Sequence, residues 1–186
     1  MPNKEQLRKK YYKIRKNKYF EIKDSFFEPL FVLLKKLFLK KGINLSFYYP
    51  SNYEVNTVKL FEIIKRKKNI KTLLPVIRSK EKMTFVKWDL MDALSVNKYG
   101  MLEPVCKKKS LIPNVALVPL LAFDQYNYRL GYGKGYYDKF LSRYLKLNKN
   151  ILTIGVAFSF QKYNKLPISN FDVKLNYILT EKGITK

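Results

Sequence analysis

Between Leu117 and Asp138 the chain passes from an apolar run through a turn into a loop with glycine at every second position, Gly131, Gly133 and Gly135. A helical pattern follows directly. Glycine lets a backbone come close to a ligand and take φ > 0 without strain, and all three are expected to do so. A loop that opens a helix offers N–H groups with no intrahelical partner at the positive end of the dipole, a setting that suits phosphate. Arg129 and Lys134 add cations, and Asp138, just inside the helix, is placed to hold a metal that bridges phosphates. The segment reads as a nucleotide phosphate site. It is not a Walker A loop, and Tyr136 stands where the third glycine of the dinucleotide fingerprint belongs. Phe140 and Leu141 read as core.

The rest of the chain supplies the frame for that loop. Helical spacing predicts helices over 4–20, 27–39, 54–68 and 132–145, the second ending near Gly42 as a C-terminal cap. In the first, Leu7, Tyr11 and Ile14 form an apolar stripe, with Lys4, Arg8 and Arg15 as a parallel cationic one. Strands are predicted at 43–49, 72–77, 83–88, 115–118, 151–158 and 176–180, with 89–113 read as a short helix followed by loop. The run 115–118 is wholly apolar and 151–158 is apolar but for Thr153, as in parallel strands covered on both faces. Strands alternating with helices predict a three-layer α/β/α domain around a mostly parallel open sheet. With 186 residues and no linker or repeat, one domain over 1–186 is expected.

Composition excludes more than it selects. Hydrophobic residues at 47% and aromatics at 16% argue against disorder. The start carries no apolar region of a signal peptide, and an apolar run such as 29–34 is too short to cross a bilayer. A lone cysteine, Cys106, cannot form an internal disulfide and suits a reducing cytoplasm; with no histidine, a structural zinc site is excluded. Cys106 reads as a bystander. The formal charge of +24 invites a nucleic-acid reading. Its excess is mostly lysine and spread along the whole chain, whereas base reading leans on arginine forks. The charge reads as compositional. A basic RNA-binding module, stacking bases on Tyr126, Tyr132 and their neighbours, is the rival from another class.

The ordered motifs resemble the 5-formyltetrahydrofolate cyclo-ligase family over nearly the whole chain. They are Lys4-x-x-Leu-Arg8, Tyr49-Pro-Ser-x-x-Glu54, Leu74-Pro75, Met83-x-Phe85, Gly100-x-x-Glu-Pro104, then 118–119, 122–124 and 129–138, and finally 153–157, Gln161, Leu166-Pro167 and Asp172. Departures are Phe171, where many members have histidine, Leu120 and Tyr128, where glycine is usual, and Lys134, where glycine is common.

What the resemblance implies is an ATP- and Mg²⁺-dependent enzyme of the cytoplasm, expected to be a monomer. Such enzymes phosphorylate the formyl oxygen of 5-formyltetrahydrofolate, with or without a polyglutamate tail. N10 then attacks, and phosphate departs to leave 5,10-methenyltetrahydrofolate. Protein work in such a transfer is mainly positioning and charge neutralisation. By the resemblance, Lys4, Arg8, Arg129, Leu130, Gly131, Tyr132, Gly133, Lys134, Gly135, Tyr136 and Tyr137 cradle ATP, with Arg129 and Lys134 as the catalytic cations. Asp138 and Asp172 hold Mg²⁺, and Tyr49, Glu54, Tyr132 and Tyr136 line the folate pocket. On spacing alone, Lys4 and Arg8 fit a solvated helix face equally well. Asp138 then fits a dipole-favoured first turn, Asp172 a turn cap, and Glu54 a helix start.

Overall fold

The computed structural model describes residues 2–38, 42–64, 69–80, 82–105, 108–147 and 150–186. Helix α1 (Lys4–Lys18) is followed by a 3-10 turn (Asp24–Phe27) that runs into α2 (Glu28–Phe38). Next come β1 (Ile43–Ser46), α3 (Val58–Ile64), β2 (Ile70–Ile77) and β3 (Met83–Lys87). Three short strands, β4 (Leu94–Val96), β5 (Leu102–Pro104) and β6 (Ser110–Leu111), lead to β7 (Val115–Pro119). The small pair β8 (Ala122–Phe123) and β9 (Arg129–Leu130) precedes α4 (Tyr136–Lys146), and β10 (Leu152–Val156), β11 (Tyr177–Thr180) and β12 (Gly183–Thr185) follow.

The main sheet has the order β12-β11-β10-β7-β1-β2-β3-β6. Its five middle strands, β11 to β2, are parallel. The edges, β12 on one side and β3 with β6 on the other, are antiparallel. Successive side chains point to opposite faces, and the sequence divides accordingly. Val115, Leu117, Ile154 and Val156 join Leu30 and Leu34 of α2 and Leu60 and Phe61 of α3 in one core. Ala116, Val118 and Ile178 meet Phe140 and Leu141 of α4 in the other. Both faces being covered explains why β7 and β10 carry no polar alternation. The expected three layers are α2 and α3, the sheet, and α4.

Helix α1 stands apart from those layers. Asn3 and Gln6 close a reciprocal capping box at its start. Leu7 and Tyr11 then pack on Leu121, Ala122, Leu130 and Leu166, so the helix lies against the β8–β9 pair that leads into the glycine loop.

Several boundaries differ from the sequence expectation. Helix α1 ends at Lys18, α2 begins at Glu28, and α3 begins at Val58, because Ser51 to Glu54 form a turn. Helix α4 begins at Tyr136, four residues late, because Gly135 sits left-handed as its cap. Strand β1 stops at Ser46, and 89–113 carries three short strands instead of a helix. Period-3.6 spacing cannot register such strands, since each is held by its partner across the chain. Arg15, on the cationic stripe of α1, is 1% exposed. Cys106, and the expected helical residues 39 and 65–68, lie outside the described residues.

From β1 the chain leads outward to β2 and β3 on one side, while β7 on its other side continues to β10 and β11. The order reverses between β1 and β7. In open α/β sheets the crevice at the carboxyl ends of the strands flanking such a reversal is where ligands bind.

Candidate active site

A cavity of about 790 Å³ opens at that point, bordered by Tyr48 and Tyr49 beyond β1 and by Pro119 at the end of β7. The size suits a small-molecule site. Every residue assigned to the site from sequence lines it: the whole stretch from Arg129 to Asp138, with Lys4, Arg8, Tyr49, Glu54 and Asp172.

The glycines do different jobs. Gly133 (φ +96°) and Gly135 (φ +68°) are left-handed, as expected, but Gly131 is not. At Gly131 the issue is room, since a Cβ there would lie 2.5 Å from Arg129 Nη1 and the guanidinium would have to shift. Arg8 reaches the loop from α1, its Nε donating to the Gly131 carbonyl at 2.9 Å. One turn earlier, Lys4 pairs with Asp172. Lys134 lies 5.6 Å from the ring centre of Tyr99. Arg129 is buried, its Nη2 2.8 Å from Asp138 Oδ2. These four cations, with Lys139, Arg143 and Lys146, thus border one cavity, in front of a helix N-terminus.

Glu54 is 6% exposed and sits at the end of a tight turn. Asn52 and Tyr53 there have φ of +50° and +63°, costly for residues with a Cβ. Tyr12 and Tyr19 pack edge-on against the Tyr53 ring and hold it in place. The turn lets Ser51 N donate to Glu54 Oε2 at 2.9 Å, while the Tyr132 hydroxyl donates to Oε1. Burial pushes the Glu54 carboxyl above its ordinary 4.5, although Arg15, Tyr132 and Ser51 all pull the other way. Nearby, the buried Tyr137 hydroxyl has no hydrogen-bond partner among the described residues. Burial, with the Glu54 charge adding, holds that phenol well above its usual range.

Two carboxylates were assigned to metal. Asp172 accepts from Ser169 N and Oγ as well as from Lys4. Burial works against its charge, but these donors outweigh it and hold the carboxyl below its ordinary 3.8. Asp138 accepts from Arg129 and, at 3.3 Å, from Val173 N. Among the described residues no group of three or more cysteine or carboxylate side chains could hold a metal alone. The donor set still fits Mg²⁺, a hard cation that takes one or two protein carboxylates and completes its shell from phosphate and water.

Sequence reasoning missed two contributors. Tyr99, from the β4–β5 hairpin, shares a 2.8 Å hydroxyl–hydroxyl hydrogen bond with Tyr136. That bond, with Lys98 and Lys134 close by, holds the Tyr99 hydroxyl below the usual phenol value. The Gly100-x-x-Glu-Pro104 motif was the available signal: Glu103 Oε2 accepts from Ile77 N and Asn97 Nδ2 and fixes the hairpin. The other contributor is Arg15, whose lysine-rich surroundings disguised it.

An open α/β sheet with a cation-bordered cleft at its switch point is the architecture of an enzyme built to bind an anionic substrate. The model of the 5-formyltetrahydrofolate cyclo-ligase family matches residues 1–181, and the chain belongs to that family. A 5-formyltetrahydrofolate cyclo-ligase of Mycoplasma pneumoniae is 32% identical over 164 residues, covering 80% of this chain and 97% of the relative. One of Haemophilus influenzae is 29% identical over 147 residues, 75% of this chain and 76% of its own. Among solved structures, the 5,10-methenyltetrahydrofolate synthetase of Aquifex aeolicus superposes with a TM-score of 0.75 at 31% identity, covering 98% of this chain and 92% of that one. The Mycoplasma pneumoniae synthetase gives 0.73 at 26% identity, with 97% and 99% covered.

Proposed function

We propose that the chain, acting as one unit over 1–186 and as a monomer in the cytoplasm, converts 5-formyltetrahydrofolate and ATP to 5,10-methenyltetrahydrofolate, ADP and phosphate. The observation that carries this reading is one cavity that joins a cation-flanked glycine loop at a helix start to a buried carboxylate and several phenols. The first group suits a triphosphate and the second a pterin, whose ring offers a paired N–H donor edge and a flat face.

The formyl carbon on N5 is amide-like and does not react with N10 unaided. In the first step the formyl oxygen bonds to the γ-phosphorus, and the bond from that phosphorus to the ADP oxygen breaks. N10 then bonds to the formyl carbon and loses its proton. The carbon–oxygen bond breaks last, with the electron pair leaving on phosphate. Arg129, Lys134, Arg8 and Lys4 balance the charge that moves among the phosphate oxygens, while Gly133 and Gly135 let the backbone approach. Glu54, Tyr132, Tyr49 and Tyr136 hold the folate so that formyl oxygen and phosphorus meet in line. Mg²⁺, held by Asp138 and Asp172 directly or through water, supplies charge neutralisation on ATP.

The nucleic-acid alternative has less to support it. Tyr136 is buried, and the Tyr132 ring, though 38% exposed, has the Arg15 guanidinium over it and its hydroxyl engaged by Arg15 and Glu54, so neither is set out as a free stacking platform. Mixing the protein with ATP, Mg²⁺ and 5-formyltetrahydrofolate tests the reading: the methenyl chromophore should appear with one ADP released per turnover. Folded protein that gives neither would overturn it.

A further inference from the structure

Arg15 is the residue that the reaction as described leaves without work. An interior guanidinium is retained only against a large desolvation cost, so its partners say what it is for. Nη1 donates to the Leu120 carbonyl at 3.1 Å, just past the end of β7. Gln161 Nε2 donates to the same carbonyl and to that of Leu121, which fixes the anchor. Nη2 donates to the Tyr132 hydroxyl at 2.7 Å, and that hydroxyl spends its own proton on Glu54 Oε1. The guanidinium carbon also lies 5.5 Å from the Tyr132 ring centre. The charge of Arg15 therefore reaches Glu54 through one phenol oxygen.

We propose that Arg15 is a positioning residue for substrate: through Tyr132 it orients Glu54 and supplies its counter-charge, so that Glu54 presents an ionised, fixed acceptor to the pterin edge of the folate. This rests on the reading of Glu54 as a folate ligand. The groups facing Glu54 are Arg15 from α1, Tyr132 from the glycine loop, Ser51 from the turn, Tyr48 beyond β1 and Tyr137 of α4. Tyr48 and Tyr137 are neutral phenols, pushed up by burial and further by Glu54 itself. Arg15 is the cation of the set. The same helix carries Lys4 and Arg8, one pointing to Asp172 and the other to the Gly131 carbonyl, so α1 touches both substrate regions.

The test is a double-mutant cycle of Arg15→Gln and Glu54→Gln in the full chain, read as the equilibrium affinity for 5-formyltetrahydrofolate without nucleotide. Arg15→Gln alone should weaken folate binding on the order of 10–100-fold, the worth of one charge-assisted hydrogen bond. In the Glu54→Gln background the same change should have little further effect, because Arg15 acts through Glu54. Nucleotide affinity should stay close to that of the parent. Equal losses in both backgrounds would make Arg15 a general structural residue and overturn the inference. Folate binding by Glu54→Gln at parental strength would instead remove Glu54 from the folate site, a separate failure. Should Arg15→Gln not fold, Arg15→Lys, which keeps a charge but loses the planar fork that bridges Leu120 and Tyr132, takes its place in the cycle with the same two outcomes.

Discussion

The guanidinium of Arg129 and the carboxylate of Asp138 meet at 2.8 Å, nine residues apart, and so pin strand β9 to helix α4 across the glycine loop. Their side chains are 5% and 18% exposed, which makes this a nearly dry ion pair. Asp138 therefore fixes the orientation of Arg129 whether or not it also meets a metal.

Asp138→Asn should lower turnover at least about 100-fold, since a mis-set cation and a lost anion both act on the phosphate. Leaving Arg129 buried without its partner should also cost about 2–4 kcal/mol of stability. A titration of activity against Mg²⁺ separates the two roles. The midpoint should move to higher Mg²⁺; an unmoved midpoint would confine Asp138 to holding Arg129.

Arg8→Ala should weaken nucleotide binding by about 1.5–3 kcal/mol, as expected for a lost charge-assisted hydrogen bond, and leave folate binding close to parental. Its Nε is engaged by the Gly131 carbonyl, so the rest of the fork is aimed along the loop. Direct titration of each ligand checks it. Parental nucleotide affinity would return Arg8 to a solvated face.

The sheet could be read from the sequence because its strands are buried on both faces. Val115 to Val118 and Ile154 to Val156 have no alternative use for such a composition. The glycine loop and Asp138 could be read because backbone geometry and charge leave a local imprint. The β4–β5 hairpin could not, since each of its strands is three residues long and the pair is fixed by Glu103 reaching Ile77 on another strand. Arg15 was passed over for the same reason: its neighbours in sequence are exposed lysines, and its burial comes from Leu120 and Tyr132, more than a hundred residues away.

The affinity for folate should fall on the acid side above the usual carboxylate range. Glu54 must be ionised to accept from the pterin, and burial raises its pKa over 4.5. The sign is fixed by that direction. Protonation, favoured in the folded state, stabilises the fold below 4.5 and that contribution is lost as pH rises through the raised value; binding runs the opposite way and is gained over the same window. A plot of kcat/KM for 5-formyltetrahydrofolate against pH should show a limb that Glu54→Gln abolishes. Tyr132→Phe, which removes one opposing hydrogen bond, should move it upward. An acid limb at or below 4.5 would contradict the assignment.

Gly133 and Gly135 are both left-handed, yet they should not respond alike to a side chain. At Gly135 a Cβ meets nothing within 4 Å, so Gly135→Ala costs mainly the strain of φ +68°, about 1–2 kcal/mol. At Gly133, with φ +96°, a Cβ would lie 3.2 Å from Arg8 Cζ and displace the guanidinium that grips the loop. Gly133→Val adds β-branched bulk to that displacement and fills space assigned to phosphate. Nucleotide affinity should therefore fall far more in Gly133→Val than in Gly135→Ala, and turnover with it. Folate affinity should fall much less in both, because Tyr49 and Glu54, which form part of its pocket, belong to a different segment of the chain. Measuring the two affinities on one folded preparation of each variant decides the matter. Folate binding lost with nucleotide binding kept would mean that the two substrates occupy the cavity the other way round.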